Sequence, residues 1–291
     1  MEKKKKFLSD ETFVWFTSMG LTVGLAMVVF LLSLVMVNGF RVFWPKSIAV
    51  AHLTDGTLIA GEINKKQAKP TRAAESTARE WQWYVANKDI YGYSFKYVDE
   101  DQIRRIEYPK DLLSIERREY GDAIGFPMAL TMQDGSSVAF GEPLFEKRLS
   151  HLVGGSKNRH ALIGRIEKEE IGAINRKMET LRLKEKNLTG SALDTLRQDV
   201  SELQKKYEVL ATRARGLREE QQKNHLVYRL PTGEETKLAF GQIVDFYYPN
   251  RLNVLERLGM SFRNFWLFLS DDPREANTEG GIFPAIFGTF V

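Results

Sequence analysis

The longest uncharged stretch of this chain lies near its start, where residues 12–40 contain no Asp, Glu, Lys or Arg. A helix needs about 20 apolar residues to cross the hydrocarbon core of a bilayer, so this stretch predicts a transmembrane helix over residues 12–44. Aromatic residues, which anchor such helices at the membrane interface, stand at both of its ends: Phe13, Trp15, Phe16, Phe40, Phe43 and Trp44. Pro45 follows and is expected to end the helix.

The charges on either side of this stretch predict its orientation. Lysines occupy positions 3–6, whereas only Arg41 and Lys46 follow the stretch closely. Because positive charge stays on the cytoplasmic side, residues 1–11 are predicted to be a cytoplasmic tail and the main domain to be periplasmic, in a bacterial inner membrane. The alternative is a cleaved signal peptide, whose apolar core is about 7–15 residues long. The greater length here, and the poor cleavage site at residues 37–39, favour a retained anchor.

The remaining composition excludes several classes of function. The 42 Lys and Arg residues are balanced by 38 Asp and Glu residues, so no nucleic-acid partner is predicted. The chain has no Cys, which excludes disulfides, Cys-bound zinc and Cys nucleophiles. Its four His residues are scattered without metal-ligand spacing: His52, His151, His160 and His225.

Short catalytic motifs are also missing. Neither H-E-x-x-H nor G-x-S-x-G occurs. Residues 154–157, Gly-Gly-Ser-Lys, lack the frame of a phosphate-binding loop and are interpreted as an ordinary loop. The carboxylates at 167–170 are typical of a solvated helix face. We therefore predict no catalytic, cofactor-binding or metal-binding residues, no cofactor and no enzymatic activity.

Three glycine-containing dipeptides stand between apolar stretches and predict β-hairpins. They are Asp55-Gly56, Asp134-Gly135 and the looser Thr232-Gly233. Asp-Gly favours a type I′ turn, in which both central residues have positive φ.

An internal repeat follows the hairpins. Residues 102–112 match residues 242–252, with Gln, Ile, an apolar residue, Tyr, Pro and Leu at the same offsets. Such self-similarity indicates a duplicated structural unit, so we predict two bent antiparallel β units. Each copy is expected to supply an edge strand that ends at Pro109 or Pro249. The alternative is chance similarity between two generic strands.

Between the hairpin and the repeat of the first unit the pattern is less regular. Residues 90–98 alternate and predict a strand. Residues 64–83 are interpreted as irregular, with a short helix over 71–86. Trp81, Trp83 and Tyr84 in that segment are expected to be packing residues rather than a ligand cage.

A long heptad pattern predicts an inserted antiparallel helical hairpin, a coiled coil, over residues 160–222. Apolar residues alternate in steps of three and four along its second arm: Leu193, Leu196, Val200, Leu203, Tyr207, Leu210, Ala214 and Leu217. Its first arm is less regular: Leu162, Ile166, Ile174, Met178, Leu181 and Leu188. Residues 187–191 are expected to form the turn. The hairpin is either a docking arm for a partner or a second copy, or a rigid spacer.

The last forty residues are again apolar. Residues 252–279 predict an interfacial helix followed by an acidic loop, and residues 280–291 predict the start of a second transmembrane helix, because they are too few to span a bilayer. The fold class is therefore predicted to be membrane-anchored α+β, with the β domain and its hairpin occupying residues 45–251.

The chain's ending carries a family resemblance. Residues 279–289, Glu-Gly-Gly-Ile-Phe-Pro-Ala-Ile-Phe-Gly-Thr, resemble the start of the second membrane helix in the A-type permease subunit of bacterial phosphate ABC importers. Residues 37–40 (Val-Asn-Gly-Phe), 42–45 (Val-Phe-Trp-Pro) and 53–56 (Leu-Thr-Asp-Gly), with Gly61-Glu62, resemble the long form of that subunit. The long form inserts a large periplasmic domain between its first two spans.

The resemblance implies phosphate transport with several partners: a partner permease subunit, ATPase subunits, a periplasmic phosphate-binding protein and the lipid bilayer. The family's remaining spans and its E-A-A-x3-G coupling loop do not occur in these 291 residues. We therefore expect the N-terminal part of a longer permease, which is not transport-competent alone. The alternative is a membrane-anchored periplasmic adaptor of an efflux or secretion system, since such adaptors also place an α-hairpin between β units.

Overall fold

The structure is a computed structural model that describes residues 2–69, 78–185 and 190–270, with side chains described from Phe13 onward. It is an α+β structure in which one long apolar helix precedes two antiparallel sheets. The described residues form two compact units. One contains residues 2–45 and 252–270, and the other contains residues 46–251. The predicted turn at 187–189, Leu188, residues 71–77 of the predicted helix over 71–86 and the predicted second span at 280–291 lie outside the described residues.

The first unit consists of two helices. Helix α1 is Glu2–Phe43, and it contains the whole uncharged stretch. The second helix of this unit comes last in the described chain, at Val254–Ser270. It begins with a reciprocal cap, because the Asn253 side chain accepts a bond from the Glu256 amide and the Glu256 carboxylate accepts one from the Asn253 amide, both at 2.9 Å.

The first sheet of the second unit has five antiparallel strands. Their bounds are β1 Ile48–Leu53, β2 Leu58–Ala68, β3 Arg79–Tyr84, β4 Phe95–Asp99 and β5 Ile103–Glu107. Their order is β4-β3-β2-β1-β5, and a 3-10 turn, Glu100–Gln102, separates β4 from β5. The core of this sheet includes Ala51, Ile59, Trp83 and Val98.

The second sheet repeats this topology. Its strands are β6 Leu113–Arg117, β7 Ala123–Thr131, β8 Ser137–Ala139, β9 His225–Arg229, β10 Glu235–Ala239 and β11 Ile243–Tyr247. Their order is β10-β9-β7-β6-β11, with β8 added beside β7, and a 3-10 turn, Phe240–Gln242, precedes β11. Strand for strand, β6, β7, β9, β10 and β11 correspond to β1–β5.

Local details of the two sheets also match. The carbonyls of Gln102 and Gln242, the first residues of the sequence repeat, accept bonds of 2.9 Å from the amides of Thr54 and Arg118, which follow β1 and β6. Both repeat strands, β5 and β11, lie at the edge of their sheet, as predicted. Gly61 in β2 and Gly125 in β7 have the same role, because a Cβ at either position would clash with the adjacent strand, β3 or β9, respectively. The duplicated β unit predicted from the repeat is present.

The three predicted hairpins form, but the predicted turn type is wrong. In each hairpin the glycine amide donates to the carbonyl three residues earlier, and only the glycine has positive φ, at 84° for Gly56, 81° for Gly135 and 94° for Gly233. These are three-residue loops with a left-handed glycine rather than two-residue type I′ turns. Asp55 and Asp134 instead accept from the backbone amide and hydroxyl of Thr57 and Ser136, respectively.

Two other predictions for the first sheet are corrected. The segment 90–98 is only partly a strand, because helix α2, Lys88–Tyr91, occupies its beginning and Gly92 ends that helix with φ 76°. Within the described parts of 64–83, β2 continues to Ala68 and residues 79–83 belong to β3, so these parts are not irregular. The predicted helix over 71–86 is wrong for residues 79–84, which form β3. The expectation that Trp81 and Trp83 are packing residues is confirmed, with exposed fractions of 8% and 0%.

The helical arm is the insertion that distinguishes the second sheet from the first. Its first half comprises α3, Phe145–Gly164, a π-helical segment, Arg165–Ile171, and α4, Gly172–Glu185. Its second half is α5, Ser191–Gln221, so the helix at Val254–Ser270 is α6. The two halves are antiparallel, since Arg218 pairs with Glu167 at 2.7 Å near the base and Arg197 with Glu185 at 3.5 Å further out.

The predicted seam of the second arm faces the first arm. Its eight residues are buried or half-buried, whereas the other residues of α5, apart from Ala211 and Gln221, are exposed. The predicted start of the arm at residue 160 is wrong, because helix begins at Phe145. The π-helical segment explains the irregular first arm. The step from Ile166 to Ile171 is five residues, which a helix with i→i+5 hydrogen bonds accommodates on one face.

Candidate functional surfaces

Helix α1 presents apolar side chains in every direction. From Phe13 to Phe43 it is long and apolar enough to cross a membrane, and none of that segment is buried within the described structure. Phe30, near its middle, is 69% exposed. A contiguous apolar surface of this size marks a segment that contacts a membrane or another protein. By length and composition the helix fits either a membrane span or a signal sequence.

Helix α6 covers the end of α1 with aromatic rings. Phe262 lies edge-on to Phe40 with ring centroids 5.1 Å apart, and Phe265 and Phe268 lie 5.5 and 5.3 Å from the ring of Phe43. The pairs of Phe262 and Phe265 are edge-to-face and that of Phe268 is tilted, and edge-to-face pairs contribute roughly 0.5–1.5 kcal/mol each beyond the area that they bury. The two helices are therefore held together at one end of the apolar stretch.

Polar side chains of α6 also satisfy carbonyl groups at the end of α1. The Asn264 amide donates to the Phe43 carbonyl at 3.5 Å, and the Arg257 guanidinium donates to the Pro45 carbonyl. The last carbonyls of a helix have no partner within the helix, and leaving them unsatisfied in an apolar medium costs several kcal/mol. Side chains of α6 thus cap the end of α1, where Pro45 has no backbone N–H to donate.

The spread of these contacts defines how α6 crosses α1. On α6 they extend from Arg257 to Phe268, which corresponds to about 16 Å of helix. On α1 they are confined to the last turn and the residues that follow it, from Phe40 to Pro45. Two helices that ran side by side would make contacts over equal lengths. Helix α6 therefore lies across the end of α1.

A second face of α6 is apolar and exposed. It carries Leu255 and Trp266, which are 79% and 67% exposed, and it is bordered by Phe262, which touches Phe40 but remains 56% exposed. Glu256, Arg263 and Ser270 form a separate polar stripe, because positions seven apart share one side of a helix. An amphipathic helix of this composition is typical of a membrane interface.

The arm is rooted in the core of the second sheet. Phe145, Leu149 and Val153 of α3 are at most 3% exposed and belong to the same buried cluster as Leu226 and Tyr228 of β9. These three residues explain why the arm starts earlier than the heptad pattern predicted. A heptad seam is expected only where two helices pack against each other. The first turns of α3 pack against a sheet instead, so they show no heptad pattern.

The Gly-Gly-Ser-Lys segment is part of this root, so its interpretation as a loop was wrong. It lies within α3, where the Ser156 hydroxyl donates to the Phe240 carbonyl at 2.7 Å and the Ser156 carbonyl accepts from Gln221 at 3.1 Å. Lys157 pairs with Asp245 at 3.5 Å. The segment connects the two arm helices to the 3-10 turn before β11 and has no geometry for binding phosphate.

The joint between the two sheets is a polar cluster that sequence reasoning missed. Asn87 is 1% exposed and left-handed, and its side-chain amide donates to the Ile124 carbonyl at 2.8 Å and accepts from the Ile124 amide at 3.3 Å. Arg117, at the end of β6, is 2% exposed and forms a two-pronged ion pair with Asp89 of α2 at 2.8 and 2.9 Å. The Arg117 guanidinium also donates to the carbonyls of residues 120–122.

This joint fixes the two sheets as one body. Each of the three guanidinium nitrogens of Arg117 donates at least one hydrogen bond, and hydrophobic residues including Ile48, Leu112 and Ile124 are buried at the joint. Only the left-handed pair Ala86-Asn87, an uncommon conformation for residues other than glycine, marks the position locally. Asn is one of the few residues that tolerates it, but the sequence alone does not reveal its partner 37 residues away.

The histidines are dispersed over different elements. His52 lies on β1, 3.4 Å from Glu107, while His160 lies on α3, where burial and the nearby guanidinium groups of Arg118 and Arg218 lower its pKa. Within residues 13–69, 78–185 and 190–270, no three His, Asp or Glu side chains gather in a group that would hold a metal ion. The absence of catalytic and metal-binding residues stays a prediction.

The fold and these surfaces define a class of protein: an α+β protein with one N-terminal apolar helix, a duplicated β unit and a helical arm inserted in the second copy. Comparison with protein-family models, with curated proteins and with solved structures found no match to this chain.

Proposed function

We propose that this chain is anchored in a bacterial inner membrane by α1, with its N-terminus in the cytoplasm and residues 46–251 in the periplasm. The observation that carries this proposal is the all-round apolar exposure of residues 13–43. The four lysines at positions 3–6, ahead of the uncharged stretch, support the orientation. The exposed apolar face of α6 and its docking on the last turn of α1 support an interfacial position for α6, at the level where the span leaves the bilayer.

Within this arrangement, the periplasmic residues serve as the extracytoplasmic domain of a phosphate ABC-importer permease. The resemblance at residues 37–45 and 279–289 supports this assignment, although the second of these segments lies outside the described residues. The partners of the proposal are a second permease subunit, ATPase subunits and a periplasmic phosphate-binding protein. The arm and the paired sheets stand on the side where a substrate-loaded binding protein arrives.

The anchor can be tested with single cysteines, because the chain has none of its own. Lys4→Cys, Val29→Cys and Lys147→Cys would each be treated in intact cells with a maleimide that does not cross the inner membrane. We expect labelling of the third variant only, and labelling of Lys4→Cys once the cells are opened. Labelling of Val29→Cys in intact membranes, or a mature chain that begins after Phe40, would refute the anchor.

The importer assignment requires a separate test, in cells that depend on this permease for phosphate. The arm can be shortened without disturbing its root, since Glu167 and Arg218 face each other at 2.7 Å and mark where a short glycine-rich turn would close the hairpin. We expect removal of residues 169–216 to reduce phosphate uptake while the protein remains in the membrane. Unchanged uptake and unchanged assembly with the ATPase subunits would exclude a role of the arm in transport.

The order of elements also favours a second candidate, a periplasmic adaptor of an efflux or secretion system. A membrane helix, a β unit and an α-hairpin set within a second β unit follow one another in this chain. The same shortened variant distinguishes the two. Loss of phosphate uptake supports the importer, whereas normal uptake with increased sensitivity to exported toxic compounds supports the adaptor.

A further inference from the structure

The middle of the arm carries an apolar groove of about 490 Å³ that no described residue fills. It is lined by Ile174 on the first arm and by Val209 and Leu210 on α5, with Glu170, Lys205 and Lys206 at its rim. Val209 does not belong to the heptad seam and is 69% exposed. The groove therefore adds apolar surface to the side of the hairpin, outside the contact between the two arms.

The hairpin is thinly packed where this groove lies. No residue of α4 is fully buried, and on the outer part of α5 only Leu196 and Leu203 are. Two helices bury one stripe each, and helices of this kind are usually stabilised by packing against further helices. A groove between two half-buried helices is the place where additional helices would complete a bundle.

The charges on the two walls of the groove have opposite sign. The first arm contributes the acidic Glu170, and α5 contributes the basic Lys205 and Lys206. Among the residues that the structure describes, none of these three forms an ion pair, whereas other charges along the arm do, such as Arg197 with Glu185. Each wall thus has unpaired charge that the opposite wall of another such groove would neutralise.

We propose that this groove is the interface between two copies of this chain, which join their arms into a four-helix bundle. A twofold interface must be self-complementary, because each copy offers the same surface to the other. If the twofold axis runs along the arms, the first arm of one copy faces α5 of its partner. Glu170 of each copy then faces Lys205 and Lys206 of the other copy, so the contact occurs twice. Val209 of both copies becomes buried. A twofold axis across the arms would instead place like charge against like charge.

Charge reversal tests this arrangement in the full-length protein, purified in detergent. One variant carries Lys205→Glu and Lys206→Glu, so that both walls are acidic. A second variant carries Glu170→Lys, so that both walls are basic. Like charges facing each other across an interface cost several kcal/mol, so each variant alone should dimerise at least about a hundredfold more weakly than the parent chain. Mass photometry over a concentration series measures this change.

Mixing the two variants is the decisive step. In a mixed pair, each acidic wall meets a basic wall at both contacts, so the two differently tagged variants should copurify although neither dimerises alone. Rescue by mixing cannot arise within one chain. Val209→Asp is an independent variant, whose exposed position leaves the monomer intact, and it should abolish the dimer. Asp199→Lys, on the exposed side of α5, is the matched control and should dimerise as the parent does.

Three results would overturn the proposal: a monomeric parent chain in both detergent and lipid nanodiscs, unaltered dimers of the reversed variants, or failure of the mixture to associate. Circular dichroism of each variant establishes that its helices remain folded before the comparison is made. The outcome does not depend on phosphate transport, since a dimer forms or fails to form whether or not the chain belongs to an importer.

Discussion

The ion pair at the joint between the two sheets should be one of the strongest single contributions to stability in this protein. Arg117 is 2% exposed, so water contributes little to stabilising its positive charge. The charge is compensated by Asp89 and by the three backbone carbonyls around the guanidinium group. Asp89→Ala leaves a buried guanidinium without its counter-ion. Breaking a buried pair from one side costs about 3–5 kcal/mol, and we expect about 3 kcal/mol here because the carbonyls continue to accept from Arg117.

Replacing the other partner of the pair, Arg117, should reduce the free energy of unfolding by a smaller amount. The side chain of Asp89 is 31% exposed, so after Arg117→Met its carboxylate can still be hydrated. We expect a loss of about 2 kcal/mol, which reflects the missing hydrogen bonds more than a stranded charge. The double variant should be little worse than Asp89→Ala alone, because both changes remove one interaction, and the resulting coupling energy should be about 2 kcal/mol.

The pair should also make stability depend on pH. Desolvation raises the pKa of Asp89, but the hydrogen bonds and charge of Arg117 outweigh it, so the net pKa lies below its usual range. A lowered pKa in the folded state stabilises the protein above the unfolded-state pKa, and this contribution is lost as the pH falls through the folded-state value. The parent chain should therefore lose stability in acid more steeply than Asp89→Asn, which has no proton to take up.

The assay is urea denaturation of the detergent-solubilised protein in a background in which Trp15, Trp44 and Trp266 are replaced by Phe, so that the fluorescence reports Trp81 and Trp83 in the first sheet. Their burial makes them reporters of that sheet's core. A loss below about 1 kcal/mol for Asp89→Ala, or strictly additive effects in the double variant, would refute the view that the pair locks the two sheets together.

Three further predictions concern the glycines and turns. Gly61→Ala should destabilise the protein by about 1–3 kcal/mol in urea denaturation, because the added Cβ meets the Tyr84 carbonyl; a neutral effect would mean that β2 can bend away from β3. Gly154→Ala, its control within α3, has nothing within 4 Å of the added Cβ and should stabilise by up to about 1 kcal/mol. The pKa of Asp134 should lie below its usual range, because Ser136 donates to its carboxylate through both hydroxyl and amide. In NMR titrations, Ser136→Ala should raise that pKa, and an unchanged value would assign the shift to the amide alone.

The features that the sequence predicted correctly are those with a local or periodic signal. The uncharged stretch of α1 and the glycines of the three hairpins are contiguous patterns, and the seam of α5 repeats every seven residues. The strand repeat was visible because residues 102–112 and 242–252 occupy equivalent places in two copies of one topology. In each case, the residues that determine the structure are neighbours in the chain or in the repeat.

The features that were mispredicted depend on contacts between distant residues. Trp81 and Trp83 alternate towards the core of a sheet, but the segment before them is polar, so a strand was not recognised. Gly154 and Gly155 have low helix propensity, and only the packing of α3 on β9 and the bonds of Ser156 keep that segment helical. The pairing of Arg117 with Asp89 bridges 28 positions and leaves no periodic trace.

The π-helical segment between α3 and α4 is the part of the arm that can lose a residue without turning what lies beyond it. A π-helical residue turns the chain by about 80° rather than about 100°, so the seven residues 165–171 turn it about as far as six α-helical residues would. Removing one of them would therefore restore ordinary α-helical bonding and leave Ile174 and Met178 on the side of α5. Removing one residue from Gly172–Glu185, where the bonding is already α-helical, would instead turn everything beyond it by about 100°.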